Sequence, residues 1–214
     1  MNTTDRYQTI LQTFDQVANL YQDKFMDLDL YHDTFDVFCQ LIEKPKPNIF
    51  EIGCGPGNIT RYLLSKRPDF HIQAIDLAPN MIELAKENNP GATFQVMDCR
   101  TIDRITGPFD GIICGFCMPY LSKEECAKLI SDCSALLNPG GIAYFSTMEG
   151  DYQTSGYETS SDGQHSMYIC YHEEDYLRRM LQESSFEMLI ATRKDYPKPD
   201  GSFQSDLVLM VQKQ

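Results

Sequence analysis

The sequence predicts an α/β fold with a doubly wound, mostly parallel sheet of seven strands, the last of them antiparallel. Between positions 48 and 148, short apolar runs alternate with helical patterns of about a dozen residues, which is typical of right-handed βαβ units. Near the C-terminus, two more strand patterns flank a short Pro-Asp-Gly connection, which indicates a hairpin. The length of 214 residues suits a single domain, 1–214.

Each strand is predicted from an apolar run and each helix from the signals at its ends. The predicted strands are 49–52, 71–75, 94–97, 111–114, 142–147, 187–195 and 206–212. Pro79 marks one helix start, because proline suits the first helical position. Ser122-Lys123-Glu124-Glu125 is a capping box that opens another helix, and Asn138-Pro139-Gly140-Gly141 ends it.

The regions on either side of this alternation are predicted to differ from it. Residues 6–43 are expected to form two helices, because apolar residues recur there at helical spacing until Lys44-Pro45-Lys46-Pro47 stops any helix. Residues 149–166 are polar and rich in Gly, Ser, Thr and Tyr, which predicts a loop. Residues 149–214 are thus expected to hold a variable loop, a helix around 176–181 and the closing strands.

The charge balance restricts the partners that the protein can have. There are 18 Lys and Arg residues against 31 Asp and Glu, which gives a net charge of −13. Such a field repels phosphate backbones and anionic lipids, so neither nucleic acid nor a membrane is expected as a partner. The N-terminal residues form no basic start with an apolar stretch behind it, and we expect a cytoplasmic protein that binds small molecules. The sequence predicts no oligomeric state.

Most of the eight cysteines are predicted to be small buried thiols. A disulfide scaffold would be shorter and secreted. The single CxxC, Cys114-Gly115-Phe116-Cys117, has no second pair, and one pair supplies only two of the four ligands of a structural zinc site. No metal site is therefore expected.

The strongest local signal is a glycine-rich turn between a buried strand and a helix. The strand Ile49-Phe50-Glu51-Ile52 runs into Gly53-Cys54-Gly55-Pro56-Gly57, and a helical pattern begins near Ile59. Glycine allows tight turning and a close backbone approach to a ligand. The N–H groups at the start of the following helix favour an anionic or polar ligand. The spacing differs from the dinucleotide fingerprint GxGxxG, because Asn58 stands where the third glycine would be.

With Glu51 ahead of its glycines, this segment resembles the first motif of the class I S-adenosylmethionine-dependent methyltransferases. Four later segments resemble that family in the same order. They are Ala74-Ile75-Asp76-Leu77-Ala78-Pro79-Asn80-Met81, Val96-Met97-Asp98-Cys99, Phe109-Asp110-Gly111-Ile112-Ile113-Cys114 and Leu136-Leu137-Asn138-Pro139-Gly140-Gly141. The resemblance covers about residues 48–148, and the closing hairpin is similar to the family's antiparallel seventh strand.

The resemblance implies a Rossmann-like methyltransferase fold, S-adenosylmethionine as cofactor, and an N-terminal helical lid over residues 1–47. It implies that Asp76 binds the ribose hydroxyls and that Asp98 contacts the adenine amine. The lid residues of interest are Tyr21 and Tyr31. The expected cofactor-binding residues are Tyr21, Glu51, Gly53, Cys54, Gly55, Gly57, Asp76, Leu77, Met81, Asp98, Cys99 and Cys114.

The implied reaction is transfer of the sulfonium methyl group to a small-molecule acceptor, held by the N-terminal helices and the 149–166 loop. No catalytic residue is predicted. The candidates for a general base are Tyr120, Glu149, His165 and His172, and each is better explained as a packing or surface residue. Two alternatives stay open. An acid such as Asp76 also suits a nicotinamide-dependent oxidoreductase, and a non-catalytic S-adenosylmethionine-binding protein would need no base.

Overall fold

The computed structural model describes residues 3–159, 166–198 and 201–214. Strands β1 to β9 are Asn48–Ile52, His71–Asp76, Thr93–Val96, Phe109–Cys114, Leu137–Met148, Gly156–Thr159, Ser166–Ile169, Phe186–Pro197 and Phe203–Lys213. Helices α1 to α7 are Thr3–Gln16, Ala18–Phe25, His32–Leu41, Asn58–Lys66, Pro79–Asn88, Lys123–Leu136 and Glu174–Glu183. Short 3₁₀ turns cover Cys99–Arg104, Met118–Tyr120 and Tyr152–Thr154.

Within the described residues, seven strands form one sheet in the order β3-β2-β1-β4-β5-β9-β8. The first five strands of the chain pair in parallel, and β9 runs antiparallel to both β5 and β8. The predicted fold class is therefore confirmed. The strand order reverses between β1 and β4, and open α/β sheets bind ligands at such a switch point, beyond the carboxyl ends of the strands.

Both faces of the sheet are covered, which explains why the central strands are apolar throughout. On one face α6 and α7 pack in a cluster that contains Phe50 and Ile112. On the other, α3, α4 and α5 pack in a cluster that contains Ile49 and Ile113. Neighbouring residues of a strand thus enter opposite cores, as the two-residue period of a strand requires.

The N-terminal prediction was wrong in one detail, because three helices stand where two were expected. Helices α1 and α2 meet at Val17, whose ψ of 11° departs from helical geometry. The kink leaves the helical spacing of the apolar residues nearly unchanged, so the pattern did not reveal it. The α1–α2 pair is tied to α5, where the Asn80 N–H donates to Asp15 Oδ1 at 2.7 Å and Asn88 Nδ2 donates to Gln22 Oε1 at 2.7 Å.

The loop predicted over 149–166 is only partly a loop. Strand β6 lies within it and pairs antiparallel with β7 in a separate two-stranded sheet. The side chains of β6 are largely exposed, so the strand carries no apolar run that would have signalled it. Residues 160–165 lie outside the described residues.

Two C-terminal predictions are confirmed, since a helix covers 176–181 and the two closing strands form a hairpin. Strand β5 begins at Leu137, five residues earlier than the predicted 142–147, because the chain passes from α6 directly into pairing with Phe109. Among the described helices, none combines the length and the apolar character needed to cross a bilayer.

Candidate functional site

A cavity lies at the carboxyl edge of the sheet, at the β1–β4 switch point, under α1 and α2. Eight of the predicted cofactor residues line it, and four do not. The lining residues are Tyr21, Gly53, Gly55, Asp76, Leu77, Met81, Asp98 and Cys99. The other four, Glu51, Cys54, Gly57 and Cys114, lie behind the cavity wall. The ends of four neighbouring strands thus bring together residues that are far apart in the sequence.

The glycine turn brings backbone, without side chains, to the floor of the cavity. The Gly53 N–H donates to Ile75 O at 2.9 Å, which joins the turn to β2. Gly55 has a φ of +52°, in the left-handed region that favours glycine. At Gly57, where φ is +82°, an added Cβ would lie 2.4 Å from Asn89 Nδ2, which itself donates to Gly57 O at 3.0 Å. Larger residues are therefore excluded at Gly57 by backbone conformation and by space.

Asp76 is held in place by the two turns that meet at the cavity. Its Oδ2 accepts the Gly55 N–H at 2.9 Å, and its Oδ1 accepts the Ala78 N–H at 2.9 Å. Burial raises the pKa of Asp76, and these backbone hydrogen bonds oppose the rise. Each oxygen of a carboxylate has a second acceptor position. The arrangement fits a vicinal diol, since two hydroxyls can donate to the two oxygens.

Asp98 has a structural role as well as a place in the cavity wall. Its Oδ1 accepts the Arg100 N–H at 2.9 Å, which caps the following 3₁₀ turn, and the Arg100 Nη2 lies 2.5 Å from Oδ2. Burial favours the neutral form, but the hydrogen bonds from Arg100 outweigh it and lower the pKa of Asp98. Asp98 is thus a fixed negative charge.

Arg100 also connects the cavity wall to the lid. The Arg100 guanidinium lies 3.5 Å from the centre of the Tyr7 ring on α1. The Tyr7 hydroxyl donates to Glu125, which opens α6, and Arg100 Nη1 lies 3.4 Å from the same carboxylate. This group holds α1 against the body of the protein.

Aromatic side chains cover the cavity on its lid side. Tyr21 Cε1 lies 3.6 Å from the position that a Cβ on Gly55 would occupy, so its ring lies over the glycine turn. The Phe14 ring packs edge-to-face against Tyr21 at 5.9 Å and against Tyr120 at 5.2 Å. Together these rings form the lid side of the cavity.

Comparison with known proteins agrees with this geometry. The family described as "Methyltransferase domain" matches residues 49–141, which contain the glycine turn, Asp76 and Asp98. This part of the chain is similar to the class I S-adenosylmethionine-dependent methyltransferases. The family predicted from the motifs is therefore confirmed, with S-adenosylmethionine as its cofactor. The alternative function, that of a nicotinamide-dependent oxidoreductase, is therefore set aside.

The relatives of this chain differ in what they act on. An uncharacterized methyltransferase of Oceanobacillus iheyensis is 27% identical over 140 residues, 63% of this chain and 65% of that protein. A tRNA N(3)-methylcytidine methyltransferase of Schizosaccharomyces pombe is 25% identical over 147 residues, 64% of this chain and 59% of that protein. The matched part spans less than two thirds of the length of either relative.

A solved structure extends the likeness to the whole fold. The 1,6-didemethyltoxoflavin-N1-methyltransferase of Burkholderia thailandensis, with bound 1,6-didemethyltoxoflavin and S-adenosylhomocysteine, has a TM-score of 0.73 at 20% identity. The match covers 100% of this chain and 91% of that one.

Of the four predicted residues that do not line the cavity, Glu51 is chemically the most unusual. It lies fully buried on β1 and accepts a hydrogen bond from the Thr60 hydroxyl, while its Oε1 accepts none from any residue of the described part. Burial raises the pKa of Glu51 to about 8, so the carboxyl holds its proton at neutral pH. Cys54 and Cys114 are buried core residues.

The structure places the base candidates in settings that disfavour that role. Tyr120 lines the cavity, but burial raises the pKa of its phenol so far that it keeps its proton. Glu149 lies outside the cavity and forms an ion pair with Arg193 at 2.5 Å. His172 is buried with its Nε2 3.1 Å from Met118 O. His165 lies outside the described residues.

Several lining residues were not predicted from the sequence. They are Tyr7, Ile10, Phe14, Met97, Arg100, Gly115, Phe116, Cys117 and Leu121. Ile10 and Phe14 belong to the apolar pattern of α1, but spacing does not tell which buried face of a helix meets a ligand. Cys117 Sγ lies 3.3 Å from Cys99 Sγ. The contact with Cys117, together with burial, raises the pKa of the Cys99 thiol, and the contact with Cys114, together with burial, raises the pKa of Cys117, so both thiols stay protonated. No three His, Cys, Asp or Glu side chains within the described ranges are grouped to hold a metal ion.

Proposed function

We propose that this protein transfers the methyl group of S-adenosylmethionine to a small-molecule acceptor. The observation that carries the proposal is the position of Asp76, whose two oxygens join the glycine turn to the start of α5 at the floor of a lidded cavity. Bound S-adenosylmethionine supplies a methyl group on a sulfonium, with a neutral thioether as leaving group.

The residues of the chain then have three tasks in this reaction. Asp76 orients the ribose, the side-chain-free turn at Gly55 gives room for the cofactor, and the rings of Phe14 and Tyr21 exclude water. Placement and desolvation account for most of the rate in such an in-line displacement, so a general base is not required.

A small acceptor fits the protein better than a nucleic acid or a membrane. The net charge of −13 opposes phosphate backbones and anionic lipids, although one relative is a tRNA methyltransferase. All eight cysteines are free thiols, which is typical of a reducing compartment and supports a cytoplasmic location. We propose that residues 1–214 act as one domain, with a lid over 1–47, a cofactor-binding core over 48–148, and the variable loop and closing strands over 149–214.

Calorimetric titration with S-adenosylmethionine tests the cofactor site. In Gly55→Val the side chain enters the space under Tyr21, and binding is expected to be lost. Gly91→Val is the matched control, since a Cβ at Gly91 meets nothing within 4 Å. Unchanged affinity in a folded Gly55→Val variant would contradict the site.

A non-catalytic S-adenosylmethionine-binding protein is the second candidate. The observation in its favour is that neither Glu149 nor His172 lines the cavity, and that the Tyr120 phenol, which does, keeps its proton. Binding with no S-adenosylhomocysteine release, across pools of small-molecule acceptors, would support it over the enzyme.

A further inference from the structure

Two thiols, those of Cys99 and Cys117, face each other in the wall of the cofactor cavity. Their Sγ atoms lie 3.3 Å apart, although 18 positions separate them in the sequence. Both residues line the cavity. Of the eight cysteines, all of which lie in the described part of the chain, only these two are partly exposed. A small molecule that enters the cavity can therefore reach this pair of thiols.

The two cysteines belong to segments on either side of the cavity. Cys99 begins the 3₁₀ turn that Asp98 caps at the end of β3. Cys117 follows β4 and packs against the glycine turn, since a Cβ on Gly53 would lie 3.2 Å from Cys117 Cβ. A bond between the two sulfurs would thus connect the Asp98 segment to the glycine turn, and both of these segments are expected to hold the cofactor.

The geometry favours a bond between Cys99 and Cys117 over one within the CxxC segment. A disulfide bond is about 2.0 Å long, so the two Sγ atoms need to approach each other by roughly 1.3 Å. Cys117 lies in a loop and Cys99 in a short turn, so each can move by such a distance. Cys114, the other cysteine of the CxxC segment, is fully buried on β4.

A hydroperoxide supplies the oxidant that such a bond requires. One thiol, as its thiolate, attacks a peroxide oxygen, the O–O bond breaks, and a sulfenic acid and one water form. The neighbouring sulfur then displaces the hydroxyl group of the sulfenic acid, the S–S bond forms, and a second water leaves with the remaining thiol proton. Two sulfurs are oxidised and the peroxide is reduced. The raised pKa of both thiols makes the first step slow at neutral pH.

We propose that Cys99 and Cys117 form a reversible disulfide in the wall of the cavity, and that this bridge and the cofactor exclude each other. Bound cofactor covers the two thiols, and the bridge displaces the segments that carry Asp98 and the glycine turn. The exclusion rests on the proposed function, because it takes the cavity to be the cofactor site. The formation of the bridge does not depend on that function.

Peptide mapping tests the bridge. The protein is treated with hydrogen peroxide, its remaining thiols are alkylated, and it is digested with trypsin. Cys99 falls in the peptide 87–100, whereas Cys114 and Cys117 both fall in the peptide 105–123. The proposed bridge joins these two peptides until dithiothreitol separates them, while a bridge within the CxxC segment stays inside the second peptide.

Two variants connect the joined peptides to the pair. Cys117→Ser is expected to abolish the joined species. Cys39→Ser is the matched control, because Cys39 is buried on α3 and its loss should leave the joined species in place.

Calorimetric titration with S-adenosylhomocysteine tests the exclusion. The affinity of the native protein is expected to fall about fivefold or more on peroxide treatment and to return with dithiothreitol. Recovery distinguishes the bridge from methionine oxidation, which dithiothreitol does not reverse. Saturating S-adenosylhomocysteine during the treatment is expected to slow the formation of the bridge. In peroxide-treated Cys117→Ser, the affinity should not respond to dithiothreitol.

The bridge and the proposed function fail separately in these experiments. Absence of the joined peptides from the treated native protein, a bridge within the CxxC segment in their place, or unchanged S-adenosylhomocysteine affinity in the bridged protein would each overturn the proposal. A Cys99–Cys117 bridge in a protein that binds no S-adenosylhomocysteine even when reduced would support the bridge and contradict the proposed function.

Discussion

Asp76 has both a structural role and a proposed role in cofactor binding. Its two carboxylate oxygens accept hydrogen bonds from the N–H groups of Gly55 and Ala78, and the same oxygens are proposed to bind the ribose. We expect Asp76→Ala to weaken S-adenosylmethionine binding by about ten- to a hundredfold, since a charged hydrogen bond contributes roughly 1.5–3 kcal/mol. The same variant is expected to lower the melting temperature by about 4–8 °C, because two backbone donors lose their acceptor. Calorimetry and thermal unfolding measure the two effects, with Asp195→Ala as control. Unaltered affinity in a folded Asp76→Ala variant would show that the ribose is held elsewhere.

The raised pKa of Glu51 predicts that the stability of the fold depends on pH. Its pKa rises on folding from an ordinary value of 4.5 to about 8, so the folded chain keeps a proton that the unfolded chain loses. The contribution of Glu51 to stability is therefore complete below about pH 4.5 and falls as pH rises through about 8. Glu51→Gln does not titrate, and its melting temperature relative to the native protein should rise between about pH 5 and pH 8 and level off above that. A difference that is independent of pH would contradict the buried neutral carboxyl.

At the scale of elements, α1 closes the cavity through the hydrogen bond from Tyr7 to Glu125 and the contact of Arg100 with the Tyr7 ring. In Tyr7→Phe the ring remains and the donor is lost, so the lid should open more often. We expect S-adenosylhomocysteine to dissociate about three- to tenfold faster, measured by stopped-flow fluorescence, with a smaller change in association. Tyr62→Phe is the control, since Tyr62 donates to Asp36 at 2.8 Å and does not line the cavity. Equal rates in the two variants would exclude α1 as the gate.

The elements that the sequence predicted well are those with strong local chemistry. The glycine turn, the acid at the end of β2 and the strands up to β5 follow from apolar runs and from residues with restricted backbone preferences. The kink at Val17 and the exposed strand β6 leave no such signal. Tyr31 was recognised only as a lid residue, because its partner Asp206 lies 175 positions away and spacing cannot reveal a contact of that range.

At the scale of the whole molecule, the negative charge of this chain opposes tRNA binding, although one relative is a tRNA methyltransferase. We expect no saturable binding of tRNA in fluorescence polarisation, even at low salt, because the net charge of −13 gives no counterion release to drive association. Tight binding of tRNA that weakens steeply with salt would contradict a small-molecule acceptor.

The central claim is methyl transfer to a small molecule, and isotope transfer tests it most directly. The protein is incubated with S-adenosylmethionine that carries a deuterated methyl group and with a fraction of small metabolites, and the products are analysed by mass spectrometry. We predict a deuterium-labelled methylated product in the small-molecule fraction, in equal amount to the S-adenosylhomocysteine released, and neither in a Gly55→Val control. A protein that binds S-adenosylmethionine in the same solution but yields no labelled product from any fraction would contradict the account.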